Sequence, residues 1–212
     1  MKILAMAASL AAAVVLSEVA TASQSAKSVS ATSDVTAAQD YLRRKYDEFE
    51  PLPNGQFRIF GLAYISAWAP LTAVDPSITR AYLPGVTFFQ TVIHSPSVEY
   101  MKVEALVAVR RTTRGNEFRS CLSPVYDDVS PKFLALFEGI SVQGHSARVA
   151  FTRCIAQLLA QITYEGRVGE VSGDGSTYRA ELWHSELHWR DVFVQFSDAG
   201  LVDSVTLFKS VR

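Results

Sequence analysis

Charge of one sign is the first thing this sequence lacks. It has 20 Lys and Arg against 21 Asp and Glu in 212 residues, whereas a dedicated nucleic-acid binder shows a clear basic excess. Nucleic acid is therefore not an expected partner. Long apolar runs are also missing: past residue 22 none reaches 18 residues, so no membrane span is expected in the mature chain. Cysteine is scarce, with only Cys121 and Cys154. No internal repeat stands out, and no catalytic motif is complete. What remains is a chain 49% apolar, long enough for one domain with a real core.

The first 22 residues read as an export signal. Lys2 gives a short positive start, Ile3 to Leu16 is an apolar and small-residue run, and Ala20-Thr21-Ala22 fits a small-x-small cleavage site. The run of 14 residues is short of the ~20 that cross a bilayer. No Cys follows the cleavage site, so a lipid anchor is not indicated. Residues 23–33, rich in Ser, Thr and Ala, read as a disordered mature N-terminus. The expected location is extracellular or periplasmic. In that oxidising setting an even pair of cysteines predicts a Cys121–Cys154 disulfide. It would close a loop of 32 residues, for which loop entropy gives about 3–4 kcal/mol.

From residue 34 the chain reads as a single α+β domain running to 212. Val35, Ala38, Leu42, Tyr46 and Phe49 make one helical stripe, ended by Pro51 and Pro53. Gln56–Ala69, Val86–His94, Val98–Arg111 and Glu117–Leu122 read as strands, with a turn at Thr112–Asn116. Ser130-Pro131 starts a short helix, with Pro131 at its first position. Ser146–Ile162 is a long helix, with Ser146 expected as its cap and Val149, Phe151, Cys154, Ile155, Leu158 and Leu159 on a broad inner face. The turn residues Ser172–Ser176 and Ser197–Gly200 predict a closing meander of strands. Thr177–Phe196 holds no Gly or Pro, yet is too long for one strand, so a bend between Trp183 and Asp191 is expected. The element order suits an antiparallel, curved sheet with helices on one face, as in cystatin- or NTF2-like arrangements.

Three groups of residues bear on function. On an extended strand His184, Glu186 and His188 share one face, and two imidazoles with a carboxylate are a legitimate ligand set for zinc. The spacing misses the His-Glu-x-x-His motif, and no other sequence feature calls for a cofactor. Arg110, Arg111, Arg114 and Arg119 surround one turn and could meet an anionic group on a glycan, lipid or protein partner. Gly144-His145-Ser146-Ala147-Arg148 begins like a nucleophile elbow, but Arg148 stands where a small residue is needed. The leading expectation is a secreted or envelope binding protein without catalysis, of the inhibitor, immunity or effector type, with a protein or glycan partner. The alternatives are a small metal-dependent enzyme or hydrolase on the His184, Glu186 and His188 face, and an apolar-ligand pocket lined by Phe88, Phe89, Trp183 and Trp189.

Overall fold

The computed structural model describes residues 34–42, 44–45, 67–68, 71–94, 102–122, 129–163, 166–184 and 186–209. The export signal, the N-terminal tail, most of the Gln56–Ala69 strand and the Ser95-Pro96 interruption lie outside these residues. Helix α1 covers 34–42 and 44–45. The first sheet holds β1 (Ala67–Trp68), β3 (Val86–His94), β4 (Lys102–Thr112) and β5 (Gly115–Leu122) in that order, all antiparallel, with β2 (Thr72–Ala73) also paired to β3. Then come α2 (Pro131–Leu134), a 3-10 turn over Ala135–Phe137, and α3 (His145–Ala160). The second sheet is a meander of β6 (Gly166–Asp174), β7 (Thr177–His184), β8 (Leu187–Phe196) and β9 (Val202–Lys209).

The class is α+β, but the strands divide into two sheets rather than one. Helix α3 supplies the physical reason. Phe151, Thr152, Cys154, Ile155, Ala156, Leu158 and Leu159 are all buried, which is more than one stripe, and a helix apolar on most sides must be covered on more than one. The main core accordingly joins Phe88, Leu106 and Ala108 of the first sheet to Tyr178, Ala180, Leu182, Val192 and Val194 of the second, with α2 and α3 contributing between them. Edge-to-face rings run through it: Phe88–Phe133 at 6.2 Å, Phe133–Phe137 at 6.2 Å, Phe137–Phe151 at 6.4 Å, Phe151–Phe196 at 6.1 Å and Phe196–Tyr178 at 5.5 Å. Each such pair adds about 0.5–1.5 kcal/mol beyond area burial.

The opposite face of the first sheet carries a smaller core, in which Ala38 and Leu42 of α1 pack on Phe89, Ala105, Val107 and Val109. With both faces covered, Ala105 through Val109 are buried without alternation. A doubly covered strand reads as a continuous apolar run.

The expected disulfide is not formed; both cysteines are free and buried. Cys121 sits on the inner face of β5 opposite Leu106. The Cys154 thiol, on α3, donates instead to the Ile78 carbonyl at 2.7 Å. Burial pushes both thiols up, Cys154 to about 12 and Cys121 further. Ser146 does not cap α3 either. Gly144 holds the N-cap position at φ 82°, a value that favours glycine, and no side chain bonds to the helix start.

Candidate contact surface on the second sheet

Alternation along β7 sends Tyr178, Ala180 and Leu182 into the core and leaves Arg179, Glu181 and Trp183 on the outer face. Register brings Asp191 opposite Glu181 and Phe193 opposite Arg179, and β9 adds Ser204, Thr206 and Phe208. The outer face is thus a continuous patch of rings and charged groups.

Its polar groups are tied into one network. Arg179 Nε donates to Asp191 Oδ1 at 2.8 Å, and Nη2 to Glu181 Oε1 at 3.3 Å. The remaining oxygen of Glu181 accepts from Trp183 Nε1 at 3.2 Å. The Arg167 guanidinium lies 5.1 Å from the Trp183 ring centre and 3.7 Å from the Glu186 carboxylate. Bonding to Asp191 raises the Arg179 pKa further. Beneath the indole lies Gly169, where a Cβ would run into Trp183 Nε1 and Glu181 Oε2. Glycine there lets the flat ring approach the backbone closely. At the other end Phe208 is 56% exposed and meets Phe193 edge-on at 5.4 Å.

Satisfied donors and acceptors beside uncovered rings suit adhesion better than bond-making. The carboxylates already hold a guanidinium or an indole N–H, while the rings offer rigid area at little entropic cost.

The three residues of the metal reading lie at one end of this sheet, but not on one strand. The chain reverses between His184 and Leu187, so that these two pair, as do Trp183 and His188, and the register slips between Leu182 and Trp183. The two histidines stand one rung apart across a hairpin instead of four residues apart along a strand. Ser185-Glu186 carries none of the Asn-Gly or Asp-Gly chemistry that marks a two-residue hairpin, which is why the sequence shows a bend but not its tightness. Glu186 is exposed in the turn. The His188 side chain lies outside the described residues, and among those described no three His, Cys, Asp or Glu side chains come together as a metal site.

The four arginines do gather at the β4–β5 hairpin, whose tip is Thr113-Arg114, but the pleat separates them. Arg111 turns toward α1, giving Nε and Nη2 to the Asp34 carboxylate at 3.1 and 2.7 Å. Arg110 stands opposite Glu117, and Arg119, opposite Ala108, shares that other face. Arg119 Nη1 donates to the Phe118 carbonyl at 3.0 Å. Arg114 is exposed at the tip. One guanidinium of the four is thus already committed to a carboxylate of the same chain.

Of the aromatics of the pocket reading, the Trp189 side chain lies outside the described residues and the other three do not converge. Phe88 and Phe89 enter the two different cores on opposite faces of the first sheet, and Trp183 belongs to the second. The serine of Gly144-His145-Ser146 is exposed, and His145 Nδ1 shares a 3.0 Å hydrogen bond with Tyr178. The outer-face network was missed in the sequence. Its signal was the alternation Arg179, Glu181, Trp183 opposite Asp191 and Phe193. Comparison with protein-family models, with curated proteins and with solved structures finds no match for this chain.

Proposed function

We propose that this chain is an exported binding protein without catalysis, and that it grips a protein or glycan partner through the outer face of β6–β9. The observation that carries the reading is Phe208, exposed beside Phe193 on a face whose Arg179, Glu181, Asp191 and Trp183 are preorganised by mutual bonds. Fixed side chains lose little freedom when a partner docks, and partly uncovered rings are typical anchors. Export rests on the N-terminal signal pattern, which predicts a mature chain starting after Ala22.

The test is site-specific photo-crosslinking in the exporting cells. A photoreactive residue at Gln195, on the outer face, should give a discrete adduct with a second molecular species, and one at Arg114, on the distant hairpin, should not. The adduct should weaken on Phe208→Ala while the melting temperature holds. Equal adducts from both places, or none from the outer face, refute the assignment.

A further inference from the structure

The second sheet ends in two unlike edges. Strand β6 is broken between Val168 and Val171 and carries Gly166, Gly169 and Gly173 with the charges Arg167, Glu170 and Asp174. Bulges and charges of this kind are how edge strands avoid pairing with other chains. Strand β9 lacks such protection at its centre. After an irregularity beside Asp203 its ladder runs unbroken from Ser204 to Lys209, and Val205-Thr206-Leu207-Phe208 holds no charge, Gly or Pro. The outer edge of Val202 is already used, since its carbonyl accepts from Gly139 N–H at 2.8 Å and its N–H donates to Ile140 at 2.9 Å. Among the described residues no strand pairs with the outer edge from Asp203 to Lys209.

We infer that this edge pairs with β9 of a second copy of the chain, antiparallel about a two-fold axis at Thr206. Three constraints select that register. Opposed residues in a continuous sheet share a face, so the axis must pass through a residue position. An axis at Val205 would require the blocked edge of Val202, and an axis at Leu207 would shorten the ladder. An axis at Thr206 uses all of 203–209. It sets Ser204 opposite Phe208, Val205 opposite Leu207 and Thr206 opposite its own copy. It also brings Asp203 beside Lys209 at both ends, so the edge is complementary in charge to itself. Threonine pairs and opposite charges are favourable cross-strand neighbours, and a two-fold interface of one patch with itself is the commonest closed assembly. The product is a single eight-stranded sheet in which the Phe193–Phe208 pairs of both copies flank the axis on one face. This pairing stands whether or not the outer face binds the proposed partner.

The test is sedimentation over a concentration series of the folded chain and two charge variants, with circular dichroism confirming that each folds. Wild type should dimerise. Asp203→Lys and Lys209→Asp should each self-associate on the order of tenfold more weakly, because two attractive pairs become repulsive. An equimolar mixture of the two variants should recover wild-type association, since every end pair is again opposite in sign. Thr206→Cys should also form a disulfide-linked dimer on oxidation, against the low background of two buried native thiols. A chain that stays monomeric at every concentration overturns the inference, including the case in which β9 takes an extended segment of another protein. A dimer indifferent to both charge variants and not linked by Thr206→Cys overturns it as well.

Discussion

Replacing Arg179 with methionine removes the hub of the outer-face network and keeps most of its stem. In the folded chain the guanidinium bridges Asp191 at 2.8 Å and Glu181 at 3.3 Å, with the three side chains 37%, 14% and 19% exposed. Because Arg179 is more than a third open to solvent, each ion pair is discounted to about 0.5 kcal/mol. Two mostly covered carboxylates then face each other without that donor, which costs about 1 kcal/mol more. The sum, about 2 kcal/mol, lowers the melting temperature of a domain this size by roughly 4–8 °C. The assay is thermal denaturation at pH 7 in low salt, repeated in 1 M salt where screening should shrink the effect. A double variant sharpens it. Asp191→Asn added to Arg179→Met removes the repulsion, so the pair should lose less than the sum of the singles, by about 0.5–1 kcal/mol. A melting change below about 1 °C, or strict additivity, refutes the network as a structural unit.

Three further outcomes follow from the same coordinates. At pH 8 a thiol raised to about 12 is ionised in only about one molecule in ten thousand, so Cys154 and the still higher Cys121 should resist alkylation in the native chain and both react in denaturant without reductant; an unalkylated mass two hydrogens short would restore the disulfide. Burial raises the Glu104 carboxyl above its ordinary 4.5, so it favours the fold while protonated and that contribution is lost as pH rises through the raised value. Glu104→Gln should therefore raise the melting temperature at pH 7 and leave it nearly unchanged at pH 4, and the reverse ranking would show the carboxylate to be held by a partner. With the single-strand spacing of His184 and His188 replaced by successive rungs of a hairpin, we expect elemental mass spectrometry of untagged protein to find no stoichiometric zinc; zinc lost in a folded His184→Ala/His188→Ala variant would establish a metal centre at that hairpin.

Much of the fold was legible because local rules and tertiary context agree. Val86–His94 is a strand with the expected bounds, since its β-branched and aromatic residues fit a pleated surface. Pro131 begins α2 where its missing N–H is harmless, and Gly175 and Gly200 take the positive φ their turns require. Layering was not legible. Periodicity says which residues a strand buries and not against what, so the run Ala105–Val109 looks the same whether one sheet curls or two sheets share a core. What decides it is α3, whose buried residues spread too far around the helix for a single sheet to cover. Cysteine pairing was illegible for a related reason. An even count speaks of redox compartment, whereas bonding needs Cα atoms within about 7 Å and converging side chains; Cys121 and Cys154 are instead fixed in separate surroundings by β5 and α3.

The candidate site shows where a motif argument depends on one unmeasured turn. His184, Glu186 and His188 share one face of a single strand only if the strand continues, and the sequence already called for a break between Trp183 and Asp191. Closing that break as a two-residue hairpin changes the meaning of the whole segment. It moves His184 and His188 from one strand to successive rungs of two. It also sets β8 beside β7 so that Asp191 meets Arg179 and Glu181. The same reversal thus replaces the single-strand spacing of the metal reading with a hairpin end and sets the pairs of the outer-face network, without altering any residue. Chemistry-bearing residues near a strand break are therefore weak evidence of a site, while alternating charged and aromatic residues on two strands bound to pair are stronger, because cross-strand neighbours are fixed by register once the turn is known.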